Sequence, residues 1–188
     1  MNLNLNIKDK TINTFILSGK INDKKIINSL INFTKNNEDK ELYNATNVKG
    51  KFTGFKSGIA NKDFHSLLKL IQPAIKVIYQ DNFIVSAAWG NILKKGGEII
   101  EHDHVGTTAF CGIVYLSNGE HGTYFKEHDL IIEEELGKFV LFHPYLKHSV
   151  KKIEKDIERI TFAFNCNIFN AWAIDNKQEL NWINKNEI

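Results

Sequence analysis

Residues 98–106 read Glu98-Ile99-Ile100-Glu101-His102-Asp103-His104-Val105-Gly106. A turn signal, Lys94-Lys95-Gly96-Gly97, precedes them and an apolar run follows. An extended backbone sends successive side chains to opposite faces. On that reading Ile100, His102 and His104 share one face, and Glu101 and Asp103 share the other. Two imidazoles on one face of a strand are two teeth of a metal clamp. Asp103 is the alternative ligand if the strand bulges and turns it inward.

The period of two extends to both sides. Phe83 to Leu93 reads as the preceding strand, with Phe83, Val85, Ala87, Trp89 and Asn91 on one face. Glu98 to His104 is the next strand, and Thr108 to Leu116 follows. Thr123 to Lys126, Leu130 to Glu133, Lys138 to Phe142, Ser149 to Ile153 and Glu158 to Ile168 complete the series. Short strands split by Gly and Asn turns indicate a closed barrel or a jelly-roll sandwich.

The N-terminal part has a different period. Residues 2–19 alternate loosely, as one or two strands. Asn22 or Asp23 caps a helix to about Phe33, with Ile26, Ile27, Leu30, Ile31 and Phe33 as its apolar stripe. A second helix starts near Asn61 to Asp63, with Phe64, Leu67, Leu68, Ile71, Ile75 and Ile78 at helical spacing. Pro73 predicts a kink or break within it. Residues 36–58 read as loop with a short strand. The whole is one α+β, mainly β domain over 1–188. Residues 1–80 form the helical support with N-terminal strands, 81–168 the barrel and 169–188 a C-terminal segment around Trp172 and Trp182.

Two further stretches carry chemistry. His148 follows Phe142-His143-Pro144-Tyr145-Leu146-Lys147 and supplies a third imidazole. Eleven residues later, Arg159 opens a strand whose faces differ sharply. Ile160, Phe162, Phe164 and Cys166 form one face; Arg159, Thr161, Ala163 and Asn165 form the other. A solvent face would carry Lys and Glu. A face of Arg, Thr and Asn inside a small barrel suits a wet cavity that holds an anion, with Arg as a fixed fork for a carboxylate. Three facial protein ligands leave three open positions on an octahedral Fe(II). An α-keto acid takes two of them and leaves one for O₂.

The stretch from Trp89 to Asn165, under half the chain, resembles the Fe(II)/2-oxoglutarate-dependent oxygenases, in particular small prolyl-hydroxylase-like members. The matching residues are Trp89 and Asn91; His102, His104 and Gly106; then Cys111-Gly112-Ile113-Val114-Tyr115-Leu116. Phe142, Pro144, His148, Arg159 and Phe164-Asn165 continue the pattern. The chain departs from it at Cys111 (commonly Ser), at Val114 (commonly Tyr) and at His143, which separates Phe142 from Pro144. It also departs at His104, where the broader superfamily has Asp or Glu. The resemblance implies a double-stranded β-helix, a jelly-roll or cupin-like barrel, with N-terminal supporting helices. It implies Fe(II) on His102, His104 and His148, and 2-oxoglutarate on Arg159 with Thr161. Tyr115, Asn91 and Asn165 are further candidates for holding that cosubstrate. The implied reaction is hydroxylation of an amino-acid, peptide or protein substrate, proline being the first candidate. It consumes O₂ and releases succinate and CO₂, with ascorbate as a supporting reductant.

Composition bounds the rest. Hydrophobic residues are 43% and charged residues 24%, an ordinary globular balance. A net charge of +2 gives no basis for nucleic-acid or membrane binding. Met1 to Asn6 lack the apolar core of a signal peptide, and no run approaches the ~20 apolar residues of a membrane span. The chain is expected in the cytoplasm, with a homodimer as a candidate assembly. Cys111 and Cys166 read as small buried hydrophobes in a reducing compartment, with a disulfide left open. His65, His121, His128 and His143 read as structural or rim residues. Two other classes of function compete. One is a cupin-like three-His metal protein that uses no 2-oxoglutarate. The other is a non-catalytic jelly-roll binding module. A zinc hydrolase is less favoured, because no motif places a Glu general base.

Overall fold

In the computed structural model, which describes residues 14–37, 47–80 and 82–168, Asp23 rather than Asn22 caps the first helix. Its carboxylate accepts from the amides of Lys25 and Ile26 at 3.0 and 3.1 Å, and α1 runs from Lys24 to Asn36. Asn61 caps α2, Lys62–Ile78, in the same way. The break expected at Pro73 does not occur: α2 continues through it. Pro73 and Lys69, four residues earlier, are both exposed, so water can take the carbonyl that proline leaves unpaired. No helix among the described residues is long and apolar enough to cross a membrane.

Among the described residues, eleven strands form two antiparallel sheets. In chain order they are β1 Ile16–Lys20, β2 Val48–Lys49, β3 Lys51–Phe52, β4 Phe83–Leu93, β5 Glu98–His102 and β6 Phe110–Tyr115. Then come β7 Thr123–Phe125, β8 Leu130–Ile132, β9 Lys138–Phe142, β10 His148–Val150 and β11 Arg159–Ile168. The large sheet runs β1-β9-β6-β11-β4-β3 and the small one β2-β5-β10-β7-β8. The segment read as loop with one strand thus supplies two, β2 and β3, one to each sheet. Residues 2–13, expected to alternate as strand, and the C-terminal segment with Trp172 and Trp182 lie outside the described residues.

The two faces of β11 divide the protein as the sequence predicts. Ile160, Phe162, Phe164 and Cys166 join α1 and α2 in the main core, where Phe64 packs 5.0 and 5.4 Å from the rings of Phe162 and Phe164. Arg159, Thr161, Ala163 and Asn165 line a cleft on the opposite face. Burying one apolar face per element is what holds helices to sheet.

The predicted face of β4 needs one correction. Ala87 pairs with Asn165 but Val85 pairs with Cys166, so Ser86 is an extra residue on β4. The bulge reverses the alternation. Val85 therefore joins Ala88 and Ile92 in the helix-side core with Phe83 packed against them, while Ala87, Trp89 and Asn91 face inward.

Candidate metal and carboxylate site

Residues 98–104 do not form one regular strand. Ile99 pairs with Val150 and His102 with His148, so Ile100 and Glu101 together oppose Ser149 alone. This bulge turns Ile99 and His102 to the same inner side, although they are three apart. Ile100, expected on the histidine face, is instead 46% exposed. The strand also stops at His102 rather than at His104. Asp103 Oδ1 accepts the amide of Val105, and the amide of Thr107 donates to the His104 carbonyl. Gly106 completes this turn at φ 75°, a conformation open to glycine. The His104 amide leaves the ladder and donates to the Pro144 carbonyl at 2.9 Å. Parity still holds across the turn: His104 lines the cleft, and Asp103 caps the turn away from it.

The three imidazoles predicted as ligands converge. One ring nitrogen from each of His102, His104 and His148 lies within 4.8 Å of the other two. His102 and His148 are anchored alike: each ring donates Nδ1–H to the carbonyl two residues earlier, Ile100 at 2.8 Å and Leu146 at 3.0 Å. That bond leaves a lone pair on Nε2, the form a metal needs. Phe125 and Phe142 pack against His148. Burial lowers the pKa of all three rings. His104 falls to about 4 through burial and then the neighbouring His102, and His148 falls well below the ordinary value. Neutral donors are therefore ready at neutral pH.

Arg159 supplies the second half of the site. It is 1% exposed, and no carboxylate of the described residues lies within ion-pairing distance of it. Its Nε donates to the His121 carbonyl at 2.7 Å and its Nη2 to Thr123 Oγ1 at 3.2 Å. Its Nη1 is buried with no partner. Burial pulls the guanidinium below its ordinary range, and Tyr115 and Glu134 push it back. A buried cation with an unpaired donor costs several kcal/mol, on the order of a lost buried ion pair. An arriving carboxylate satisfies both charge and donor. Asn91, paired with Thr161 across β4 and β11, also carries a buried oxygen without a partner.

Not every predicted site residue reaches the cleft. Arg159, Thr161, Asn91 and Asn165 line it; Tyr115 does not. The Tyr115 hydroxyl is 2.7 Å from Thr123 Oγ1 and 3.2 Å from the Ile132 carbonyl, and its ring lies 5.5 Å from the Arg159 guanidinium carbon. It touches the site through Thr123. Thr123 was not singled out by the sequence reading. Its signal was a hydroxyl sharing the inward face with Phe125 on a three-residue strand. Of the remaining histidines, His121 serves through its backbone carbonyl, His128 bonds Thr14, and His143 stacks on Tyr145. His65 bonds the Ile59 carbonyl. Both cysteines are free and buried; Cys111 lines the cleft, with its thiol pushed up by burial. Trp89, read as a packing residue, is 7% exposed but also borders the cleft beside Phe55, at 5.2 Å between rings. The cleft is partly open to solvent.

A jelly roll with three converging imidazoles and, in the same cleft, a buried arginine whose Nη1 has no partner defines the class of the protein's fold and site. No protein-family model matches the chain, and no curated protein matches it in sequence. Solved structures do match. Viral collagen prolyl hydroxylase from Paramecium Bursaria Chlorella virus-1, in complex with 2-oxoglutarate, aligns with a TM-score of 0.62 and 15% identity. The alignment covers 83% of this chain and 96% of that one. A Pseudomonas putida prolyl-4-hydroxylase gives 0.61 and 12%, covering 82% and 93%. HygX from Streptomyces hygroscopicus, with nickel, 2-oxoglutarate and hygromycin B bound, gives 0.60 and 10%, covering 82% of each chain. The fold is the double-stranded β-helix of the Fe(II)/2-oxoglutarate oxygenases, prolyl hydroxylases among them.

Proposed function

We propose that the protein is an Fe(II)- and 2-oxoglutarate-dependent dioxygenase that hydroxylates a C–H bond of an amino-acid, peptide or protein substrate, with proline the first candidate. The observation that carries this reading is the unpaired Nη1 of Arg159 in the same cleft as three neutral imidazoles. His102, His104 and His148 would hold the iron. Their donor set fits: three borderline nitrogen ligands, all uncharged imidazoles. When bound, the iron and 2-oxoglutarate supply the O₂-dependent oxidation, with succinate and CO₂ as products.

The chain's own residues do the positioning. Arg159 takes the distal carboxylate of the cosubstrate as a two-pronged donor. Thr123 fixes the other arm of the guanidinium, and Thr161 and Asn91 border the same pocket. Burial keeps competing water from that ion pair. Phe55, 43% exposed, and Trp89 form the wall nearer solvent, where a substrate segment would enter. We also place the protein in the cytoplasm, on the strength of its two free buried thiols.

A cupin-like metal protein without a keto acid has no use for Arg159 in this cleft, and a binding module has no use for the imidazole cluster. For a zinc hydrolase, no carboxylate side chain of the described residues lines the cleft. The test is succinate release from 2-oxoglutarate with Fe(II), ascorbate and O₂, alongside equilibrium binding of 2-oxoglutarate to the metal-loaded protein. Absence of both turnover and binding would overturn the reading.

A further inference from the structure

Two of the three imidazoles are oriented by backbone and the third is not. His102 and His148 each sit in a paired strand and bond a carbonyl two residues back. His104 lies beyond the end of β5, in a turn, and its Nδ1 faces a side chain: Asn165 Nδ2 is 3.4 Å away. Asn165 is held on β11 between Ala87 of β4 and Cys111 of β6. It lies on a central strand of the large sheet, whereas His104 lies at the small sheet's margin.

We propose that Asn165 is the positioning residue for His104, fixing its tautomer and ring plane so that Nε2 carries the metal-facing lone pair. The inference rests on the metal reading given above and reassigns Asn165, which the sequence pattern placed against 2-oxoglutarate. A neutral imidazole with a free Nε2 carries its proton on Nδ1. The amide then presents Oδ1 to that proton, by a half-turn about its last side-chain bond that exchanges two groups of nearly equal size. His104 stands where the wider family has a carboxylate, which coordinates from either oxygen and has no tautomer to set. An imidazole there has one productive face, so it needs a partner on its other nitrogen. Asn165 is the residue the structure places at that nitrogen.

The test is Co(II) titration followed by the visible absorption of the bound ion, on the parent and on Asn165→Leu, Asn165→Ser and Asn165→Asp, with thermal melting to confirm folding. Loss of an outer partner of a ligating histidine costs 10–100-fold in metal affinity. Leu and Ser are expected to weaken Co(II) binding by that factor and to alter the absorption envelope. Asp, which accepts the same proton, is expected to stay within about threefold of the parent, a rescue that a mere packing role would not give. The Ser variant keeps the test open if Leu fails to fold. If the Leu and Ser variants bind Co(II) as the parent does but 2-oxoglutarate more weakly, Asn165 serves the cosubstrate and the inference fails alone. If the parent itself binds no Co(II), the metal reading fails and takes the inference with it.

Discussion

His148 stands directly opposite His102 in the β5–β10 pair, with ring centroids 4.2 Å apart. The pairing holds because Ile100 and Glu101 are accommodated as a bulge against Ser149, so the ladder returns to register at the two histidines. Asp103 is then directed outward, where its carboxylate caps the turn through the Val105 amide. His102→Ala, His104→Ala and His148→Ala are each expected to weaken Fe(II) or Co(II) binding by at least about 100-fold, more than loss of an outer partner does. Asp103→Asn keeps a cap oxygen and is expected to remain within a few-fold of the parent. Metal content after equilibrium dialysis decides it. Loss of metal in Asp103→Asn with retention in His104→Ala would reverse the assignment.

Arg159 gives a prediction with two signs. Arg159→Met removes a buried cation whose Nη1 has no partner, so the ligand-free protein is expected to melt no lower than the parent. The same change removes the carboxylate fork, so 2-oxoglutarate affinity should drop by about 100-fold or more. Thr123→Val, which leaves Nη1 in place but loses the bonds of Oγ1 to Nη2 and to the Tyr115 hydroxyl, should cost about tenfold. Because a ligand stabilises the state it binds, thermal shift by 2-oxoglutarate should be large in the parent, reduced in Thr123→Val and absent in Arg159→Met. An equal shift in all three would place the cosubstrate elsewhere.

The β half was legible because its signals are local. The alternation of residues 159–166 separates a core face from a cleft face, and the structure keeps that division residue by residue. The errors of face, at Phe83, Val85 and Ile100, come from bulges. A bulge is a property of two strands, since the extra residue is extra only relative to its partner, so one strand's sequence does not reveal it. Thr123 and the Asn165–His104 contact escaped for a similar reason. Their meaning depends on which distant side chain the sheet register brings to them, 36 residues away for Thr123 and Arg159 and 61 for His104 and Asn165.

Gly90 tests how closely the helical layer sits on the barrel. A Cβ built on it would lie 2.4 Å from Thr34 Oγ1 and 2.5 Å from its methyl, so α1 packs onto β4 only over a bare backbone. Gly90→Ala is expected to destabilise the fold by about 1–3 kcal/mol, the usual cost of overpacking. The adjoining inward residues Trp89 and Asn91 would shift with the strand. Urea unfolding measures the loss. A change below about 0.5 kcal/mol would mean that α1 yields freely and is no fixed support for the cleft.

The imidazole cluster also sets how stability depends on pH. Burial lowers the pKa of His102, His104 and His148 in the folded state, His104 to about 4, against 6.5 for an unfolded histidine. Between those values the unfolded chain binds more protons than the folded one, so acid favours unfolding. The penalty is absent above the unfolded value. It begins as pH falls through about 6.5 and grows until the folded rings themselves protonate, near pH 4 for His104. Each ring adds at most about 1.4 kcal/mol per pH unit. The metal-free protein should therefore melt progressively lower from pH 7 to pH 5, and a His102→Gln, His104→Gln, His148→Gln triple variant should show a flatter profile. Co(II), which competes with protons for the same nitrogens, should oppose the decline in the parent and have no effect in the triple variant. A parent melting temperature unchanged between pH 7 and pH 5, or an equal slope in both proteins, would show that the three rings are solvated and protonate in the folded state, and would remove the case for a preformed neutral donor set.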